Sequence, residues 1–130
     1  MLSVHTVTAM ITACAAVRRA VYLQVGGMDE AMPISYNDLD LCLRVADLGL
    51  RNVLTPHAEL HHDESASRGY HYWTEATDQE KSDEAQFRAK WGSRLERDPT
   101  YNPNFADKGT AYSLALASDD AVAPPLPVRN

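Results

Sequence analysis

The chain has 130 residues, enough for one modest domain with a single core. Its hydrophobic content of 45 % and charged content of 23 % are ordinary for a soluble globular protein. The formal net charge of -6 argues against nucleic acid as a partner, and no stretch approaches the ~20 apolar residues that a membrane span needs.

The N-terminal part predicts a strand followed by a short helix. Residues 4–17 are rich in Val, Ile, Thr and small Ala side chains, which favours a buried strand. Residues 18–25 predict a short helix that the two glycines at 26–27 end. Cys14 and Cys42 stand among apolar residues, so they indicate buried free thiols of a reducing compartment rather than a disulfide framework.

Residues 38–48 predict the central helix of the chain, mostly buried. Asp40, Arg44 and Asp47 fall together on a polar face, and Asp40 and Arg44 form a favourable i,i+4 pair that braces the helix. Gly49 supplies the helix stop. Apolar residues recur at helical spacing at Leu39, Cys42, Leu43 and Ala46, and the apolar stripe is widened by Leu41, Val45 and Leu48.

Asp38 stands in the first turn of this helix, near the exposed backbone N–H groups and the positive end of the helix dipole. Two interpretations are open. Asn37 or Asp38 caps the helix, as such residues commonly do. Alternatively, Asp38 presents a carboxylate to a cavity above the helix, in a catalytic or ligand-binding role. Spacing alone does not decide between them.

The segment that follows the central helix predicts two extended pieces, residues 51–56 and residues 57–62, separated at Pro56. In a strand, His57 and His61 share a side but lie roughly 13 Å apart, too far to chelate one ion directly. A self-contained zinc site is therefore not expected. Either a single histidine at the strand end joins ligands from elsewhere, or these histidines are exposed polar residues.

A second long helix is predicted from its start signal. Thr77 and Glu80 match a capping box, in which each side chain satisfies a backbone N–H of the other residue. Phe87 and Trp91 lie one turn apart on its apolar face, and Gly92 ends it. The order strand, helix, helix, strand, strand that precedes this helix predicts an α/β domain.

The C-terminal part changes in composition. Residues 98–104 carry turn chemistry throughout, and residues 106–130 contain Ala, Asp-Asp and Pro-Pro without a convincing period. We therefore predict one domain over residues 1–105 and a mobile or surface-draped tail over residues 106–130.

A series of segments stands in a fixed order along residues 8–105. They are residues 17–19, Val25-Gly-Gly-Met-Asp-Glu30, Asn37-Asp-Leu-Asp-Leu-Cys-Leu-Arg44, and residues 49–56 and 58–69. In order and spacing the series resembles the second half of family 2 glycosyltransferases. Residues 98–104 resemble the end of the bacterial members that build cell-surface polysaccharides, including rhamnosyltransferase-like enzymes.

The resemblance implies a partial GT-A fold, the Rossmann-like α/β fold of nucleotide-diphospho-sugar transferases, with a short sheet and flanking helices. Such enzymes invert the anomeric carbon in one displacement, which needs a general base for the acceptor hydroxyl. The family's acid pair is usually Glu-Asp and its second member is the base; here that position is Asp38. The first member is Asn37, a departure that removes one carboxylate. Asp40 and Arg44 are assigned to structural support.

The resemblance also implies acceptor-binding and metal-binding positions. The acceptor-binding positions are Gly27, Asp29 and Asn37, and of these Gly27 and Asp29 correspond to the loop that flanks the acceptor cavity. His62 aligns with the family's late metal ligand, with His61 as the fallback. The metal is Mn or Mg, which absorbs the charge of the leaving nucleoside diphosphate.

The strand–loop–helix that grips the nucleotide and the metal-holding Asp-x-Asp of the family's first half have no counterpart here. The chain is thus expected to be the acceptor-side C-terminal portion of a cytoplasmic enzyme, in the cytosol or at the inner face of the membrane, without an integral membrane segment. Its partners are a nucleotide-sugar donor and a saccharide acceptor. Alone it is expected to be inactive, to hold no metal and to self-associate through an open sheet edge. The alternative is a non-enzymatic module that binds sugar or a partner protein.

Overall fold

The computed structural model describes residues 3–62, 76–96, 98–106 and 113–114. The chain divides into two units, Met1–Asp98 and Pro99–Asn130. In the first unit the described elements are strand β1 (His5–Val7), a 3-10 turn (Thr12–Cys14), helix α1 (Arg19–Gln24), helix α2 (Asn37–Asp47), strand β2 (Asn52–Leu54), helix α3 (Asp78–Trp91) and a second 3-10 turn (Gly92–Arg94). This is a small α/β unit with a two-stranded sheet and three helices.

The sheet is antiparallel and short. His5 lies opposite Leu54 and Val7 lies opposite Asn52, so three residues pair with three. The predicted strand over residues 4–17 is therefore wrong beyond Val7. Just beyond this ladder, the side-chain amide of Asn52 donates to the Thr8 carbonyl at 2.9 Å and to the Cys42 carbonyl at 3.0 Å. That side chain ties both strands to α2.

The burial predicted for residues 4–17 is also wrong, because every described residue in that range is exposed or half-buried. Cys14 is accordingly exposed, whereas Cys42 is buried, and both thiols are free. Burial raises the pKa of the Cys42 thiol, which donates to the Met10 carbonyl at 3.7 Å. The expectation of buried free thiols is confirmed for Cys42 and corrected for Cys14.

The second extended piece predicted after β2 does not form a strand in the described residues. Pro56 and His57 form a turn, in which the His57 N–H donates to Thr55 Oγ1 at 3.3 Å. Residues 58–62 continue as exposed chain without regular structure. The local turn therefore ends the sheet at β2.

Helix α2 confirms the prediction of a mostly buried central helix ended at Gly49, where φ is +75°. Leu41, Cys42, Leu43 and Val45 are buried on it. The prediction that Asp40 lies on a polar face of this helix is wrong, because Asp40 is 0 % exposed. A carboxylate at that depth needs compensating donors, and α3 supplies them.

Helix α3 begins as predicted, with both hydrogen bonds of the Thr77–Glu80 capping box present. Phe87 and Trp91 are buried on its apolar face. They form the main core cluster together with Met32 and Leu43, and Tyr36 and Leu39 pack against it. Gly92 ends the α-helix, but at φ -44° it leads into the second 3-10 turn rather than adopting a left-handed cap.

The second unit is described over a few residues. The rings of Tyr101 and Phe105 lie 6.1 Å apart, and Phe105 forms an isolated bridge with Leu114. The Ala106 N–H donates to the Ser113 carbonyl at 2.8 Å. Most of the predicted tail over residues 106–130 lies outside the described residues, and the predicted domain boundary at 105 stays a prediction.

Candidate functional site

The start of α2 is held in an unusual backbone conformation. Tyr36, the residue before the helix, has φ +64°, and its side chain does not cap the helix. A left-handed conformation costs a non-glycine residue of order 1–3 kcal/mol and persists where the surroundings enforce it. Here the Tyr36 ring stacks on Phe87, with ring centroids 5.1 Å apart. The loop before it is also held in place, by Asp83.

Asp83 ties α3 to the loop that enters α2. Its carboxylate is 0 % exposed, and Oδ2 accepts from the N–H groups of Ile34 and Ser35 at 3.0 and 2.8 Å. The other oxygen accepts from Gln79 Nε2 at 2.7 Å. Two backbone amides next to Tyr36 thus depend on one side chain of α3, which fixes where α2 begins.

We expect Asp83→Ala to lower the free energy of unfolding by about 1–3 kcal/mol, because the N–H groups of Ile34 and Ser35 lose the carboxylate that accepts from them. Asp83→Asn should cost less, because its carbonyl oxygen still accepts from both. Glu84→Ala is the matched control: Glu84 pairs with Arg88 at the surface of the same helix, where such pairs contribute about 0–1 kcal/mol. Urea unfolding of the three variants tests this; equal losses for Asp83→Ala and Glu84→Ala would contradict it.

The same carboxyl predicts a pH dependence. Burial alone would raise the pKa of Asp83, but hydrogen bonds from Gln79, Ser35 and Ile34 outweigh burial and hold the pKa below its usual value of 3.8. A carboxyl with a lowered pKa in the folded state contributes stability above its unfolded pKa, and that stability is lost as the pH falls through the folded pKa. The stability difference between wild type and Asp83→Asn should therefore be steady above pH 3.8 and shrink below it.

Asp38 lies in the first turn of α2 and is half-buried. Its Oδ1 accepts from the Leu39 N–H at 2.8 Å, one of the amides that a helix start leaves without an intrahelical partner. Its Oδ2 has no hydrogen-bond partner in the described part of the chain. Asp38 therefore contributes one hydrogen bond to the start of α2.

A cavity of about 330 Å³ lies between the loop after α1, helix α2 and helix α3. Asp29, one of the predicted acceptor-binding residues, lines it, whereas Asp38 does not. The lining residues described are Val25, Gly26, Met28, Asp29, Glu30, Arg44 and Lys90.

Asp40 is the hub of a buried charge network beside this cavity. Its Oδ2 accepts from Arg44 Nε at 2.7 Å, the i,i+4 contact expected from the sequence. Its Oδ1 accepts from Trp91 Nε1 at 2.8 Å and lies 2.8 Å from Lys90 Nζ. Lys90 also donates to Asp29 at 3.0 Å. The Lys90 ammonium therefore joins Asp29, in the loop after α1, to Asp40 in α2.

The hydrogen bonds of the network favour the charged forms of Asp29 and Lys90. The hydrogen bond from Lys90 holds the pKa of Asp29 below its usual value. Burial alone would lower the pKa of Lys90, but its hydrogen bonds to Asp40 and Asp29 outweigh burial and raise it. Its contacts with the two carboxylates therefore favour the charged form of Lys90.

Gly27, one of the predicted acceptor-binding residues, is also required by local packing. Gly27 has φ +74°, and a Cβ there would lie 3.2 Å from the Tyr22 hydroxyl. That hydroxyl accepts from the Met28 N–H at 3.2 Å, which shapes the loop leading to Asp29. An acceptor-binding role for Gly27 and Asn37 stays a prediction, and Asn37 lies at the first position of α2.

The structure brings some predicted site residues together and leaves others apart. Lys90, a residue that the sequence did not single out, bridges Asp29 and Asp40, and Arg44 pairs with Asp40. Trp91, predicted as core, also serves as a donor; its indole N–H, buried on the helix face that carries Phe87, was the signal that a polar partner was needed. His62 is exposed at the end of the first described segment, as is His61.

Over the described ranges, no three His, Cys, Asp or Glu side chains are placed to share a metal ion. His62 offers one exposed imidazole, which suits a single ligand position and cannot hold an ion by itself. None of the helices in the part of the chain that the structure describes has the length and apolar character needed to cross a membrane.

Two known proteins show similarity to this chain. An uncharacterized protein, y4gI of Sinorhizobium fredii, is 38 % identical over 109 residues, which make up 83 % of this chain and 12 % of that protein. O-antigen biosynthesis protein RfbC of Myxococcus xanthus is 36 % identical over 115 residues, 84 % of this chain and 8 % of that protein. The chain spans no more than 12 % of the length of these curated relatives. No family model matches the sequence, and no solved structure matches it.

Proposed function

We propose that this chain is the acceptor-side portion of an inverting, family 2 glycosyltransferase domain of the GT-A type, which acts in bacterial surface-polysaccharide synthesis as part of a longer protein. The observation that carries the proposal is its 36 % identity, over 84 % of its length, with a protein named for O-antigen biosynthesis. O-antigen is a polysaccharide, and joining its sugars requires glycosyl transfer. The order of segments over residues 8–105 supports the same class of enzyme.

Asp38 is the proposed general base. In the transfer, the oxygen of an acceptor hydroxyl attacks the anomeric carbon of the donor sugar, and the bond from that carbon to the diphosphate oxygen breaks. The hydroxyl proton goes to the Asp38 carboxylate, the nucleoside diphosphate leaves, and the anomeric configuration inverts. Asp38 suits this role because, among the described residues, only one of its oxygens has a hydrogen-bond partner, the Leu39 N–H, and because α3 fixes the helix start through Asp83.

The nucleotide-sugar donor, the saccharide acceptor and the cytoplasmic location belong to this proposal. So does a Mn or Mg ion, for which His62 would supply one ligand and the rest of the longer protein the others. When bound, such an ion offsets negative charge on the leaving diphosphate. The 130-residue chain by itself is expected to release no nucleoside diphosphate.

The test is acceptor-dependent release of nucleoside diphosphate from UDP-, GDP- and dTDP-sugars by the longer protein, assayed with lipopolysaccharide-derived oligosaccharides as acceptors. Release with at least one donor, stimulated by acceptor, is the expected result. Donor hydrolysis or transfer by the 130-residue chain alone would contradict the proposal that this chain is only the acceptor-side portion of the enzyme. No release with any donor–acceptor pair would contradict the proposed function.

His62→Ala in the longer protein should raise the Mn concentration required for half-maximal release, because one ligand is lost from the metal site. His61→Ala is the matched control, one residue away and equally exposed, and should change the metal requirement much less. Melting temperatures of both variants should stay close to wild type. A reversal of the two effects would move the ligand to His61, and the absence of any effect would refute both assignments.

A further inference from the structure

Tyr36 has a backbone conformation that is unfavourable for an aromatic residue. Its φ of +64° lies in the left-handed region, and no other non-glycine residue in the described ranges has a positive φ. A bulky side chain in this region is an outlier, whereas Gly, Asn and Asp enter it more readily. Such outliers persist where the surrounding structure holds them, and they cluster at active sites. Tyr36 stands two residues before Asp38 in the chain.

Helix α2 begins without the usual local signal. A helix start is commonly fixed by a Ser, Thr, Asp or Asn side chain at the residue before the helix. In α2 that residue is Tyr36, whose side chain makes no capping hydrogen bond. Its carbonyl accepts from the Asp40 N–H at 2.9 Å. The direction of the Tyr36 carbonyl therefore sets the first turn of α2, which contains Asp38.

Helix α3 supplies the support that the local sequence lacks. It contacts residues 29–36, which lead into α2, through four side chains that lie three, four and seven positions apart and so share one face of α3. The contacts are Lys90 with Asp29, Gln86 with the Ala31 carbonyl, Asp83 with the N–H groups of Ile34 and Ser35, and the Phe87 ring with the Tyr36 ring.

The contact between two aromatic rings is the one that holds Tyr36 itself. The rings of Tyr36 and Phe87 are 5.1 Å apart and inclined by 26°. Phe87 is buried and belongs to the core cluster, so the ring against which Tyr36 packs is fixed. Stacking of this kind stabilises beyond the area it buries, and it offsets the cost of the left-handed conformation. A side chain without the ring would keep that cost and lose the contact.

We propose that Tyr36 is a positioning residue for sugar transfer, because it holds the first turn of α2 where Asp38 takes the proton of the acceptor hydroxyl. Tyr36 acts through Asp38 and not on the reacting atoms. This role rests on the proposed function, since it takes Asp38 as the base; that Tyr36 sets the start of α2 does not rest on it. A displacement of about 1 Å at a reacting group can cost about 10²-fold in rate.

The first test compares three substitutions of Tyr36 in the longer protein. Tyr36→Phe keeps the ring and should retain kcat within about twofold. Tyr36→Ala loses the ring but keeps the left-handed cost, and should lower kcat by about 10–100-fold with both KM values unchanged. Glycine adopts a positive φ freely, so the kcat of Tyr36→Gly should exceed that of Tyr36→Ala at least about threefold. A Tyr36→Gly variant no faster than Tyr36→Ala, or raised KM values with unchanged kcat, would overturn the proposal.

A double-mutant cycle separates positioning from a general loss of structure. Asp38→Asn already removes the proton acceptor, so adding Tyr36→Ala to it should lower the residual turnover by less than about twofold. A merely structural role would lower turnover by the same factor in both backgrounds. Equal factors with and without the Asp38 carboxylate would therefore overturn the proposal.

A third measurement uses the 130-residue chain and needs no activity. In Tyr36→Ala the Asp40 amide should exchange with solvent at least about fivefold faster relative to the amides of α3, the loss of one hydrogen bond. Its exchange should be unchanged in Tyr36→Phe. Tyr101→Ala is the matched control, because Tyr101 also pairs with a phenylalanine ring, that of Phe105, and should leave the Asp40 amide unchanged. Unchanged Asp40 exchange in Tyr36→Ala would overturn the proposal.

If Tyr36→Ala does not fold, Tyr36→Leu takes its place in all three measurements, since Leu fills more of the ring's volume and carries the same left-handed cost. The two proposals can fail separately. Sugar transfer that depends on Asp38 but not on Tyr36 would overturn the positioning role and leave the proposed function standing. Faster Asp40 exchange, combined with a longer protein that transfers no sugar, would overturn the proposed function and leave Tyr36 as the residue that sets the start of α2.

Discussion

Asp40→Asn is expected to unfold this chain, or to bring it close to unfolding, under conditions in which the wild type is folded. The Asp40 carboxylate has no exposed surface. It accepts hydrogen bonds from Arg44 and Trp91 and forms an ion pair with Lys90. An amide in its place turns an N–H group toward one of these donors. It also removes the charge that compensates two cations.

The expected loss of folding stability follows from the burial of the Asp40 carboxylate. Removing one partner of a buried ion pair typically costs about 3–5 kcal/mol, because an uncompensated charge remains inside. Small domains have about 5–15 kcal/mol of stability in total, and the described residues of this chain form one small core cluster. The substitution therefore removes a large part of what holds α2 and α3 together.

Asp47→Asn is the matched control on the same helix. Asp47 pairs with Arg94, but its side chain is 51 % exposed, where ion pairs contribute about 0–1 kcal/mol. Urea unfolding followed by circular dichroism compares the two variants. If Asp40→Asn cost as little as Asp47→Asn, the network would be peripheral to stability and our account of the core would be wrong.

The helices could be predicted from the sequence because their signals are local. The spacing of apolar residues across α2 and the Thr77–Glu80 capping box of α3 lie within a few turns of chain. The long strand predicted over residues 4–17 failed because its extent depended on a partner. β2 offers three residues, and the Asn52 side chain takes the next carbonyl.

In the candidate site, too, local contacts could be predicted from the sequence and contacts between distant segments could not. The Asp40–Arg44 pair could be predicted from the sequence because it spans one helical turn. The burial of Asp40 could not be predicted, since its donor Trp91 lies 51 positions away in the sequence. Lys90 was missed because a lysine near the end of a helix is typical of a solvated position. Its role emerges only when Asp29 and Asp40 approach it from two other segments.

Asp38→Asn in the longer protein is expected to abolish or nearly abolish sugar transfer. The amide oxygen still accepts from the Leu39 N–H, as Oδ1 does now, so the start of α2 should be preserved. What is lost is the proton acceptor, and removal of a general base typically costs about 10²–10⁴-fold in rate. Asp47→Asn serves again as the control, since it removes a carboxylate from the exposed end of the same helix.

The most direct test of this account measures acceptor-dependent turnover and donor binding side by side in the longer protein, for wild type, Asp38→Asn and Asp47→Asn. We predict a fall in turnover of about 10²–10⁴-fold for Asp38→Asn with donor affinity unchanged, and near-wild-type values for Asp47→Asn. Turnover close to wild type in a folded Asp38→Asn variant would show that Asp38 only supports the helix start, and would contradict its role as the base.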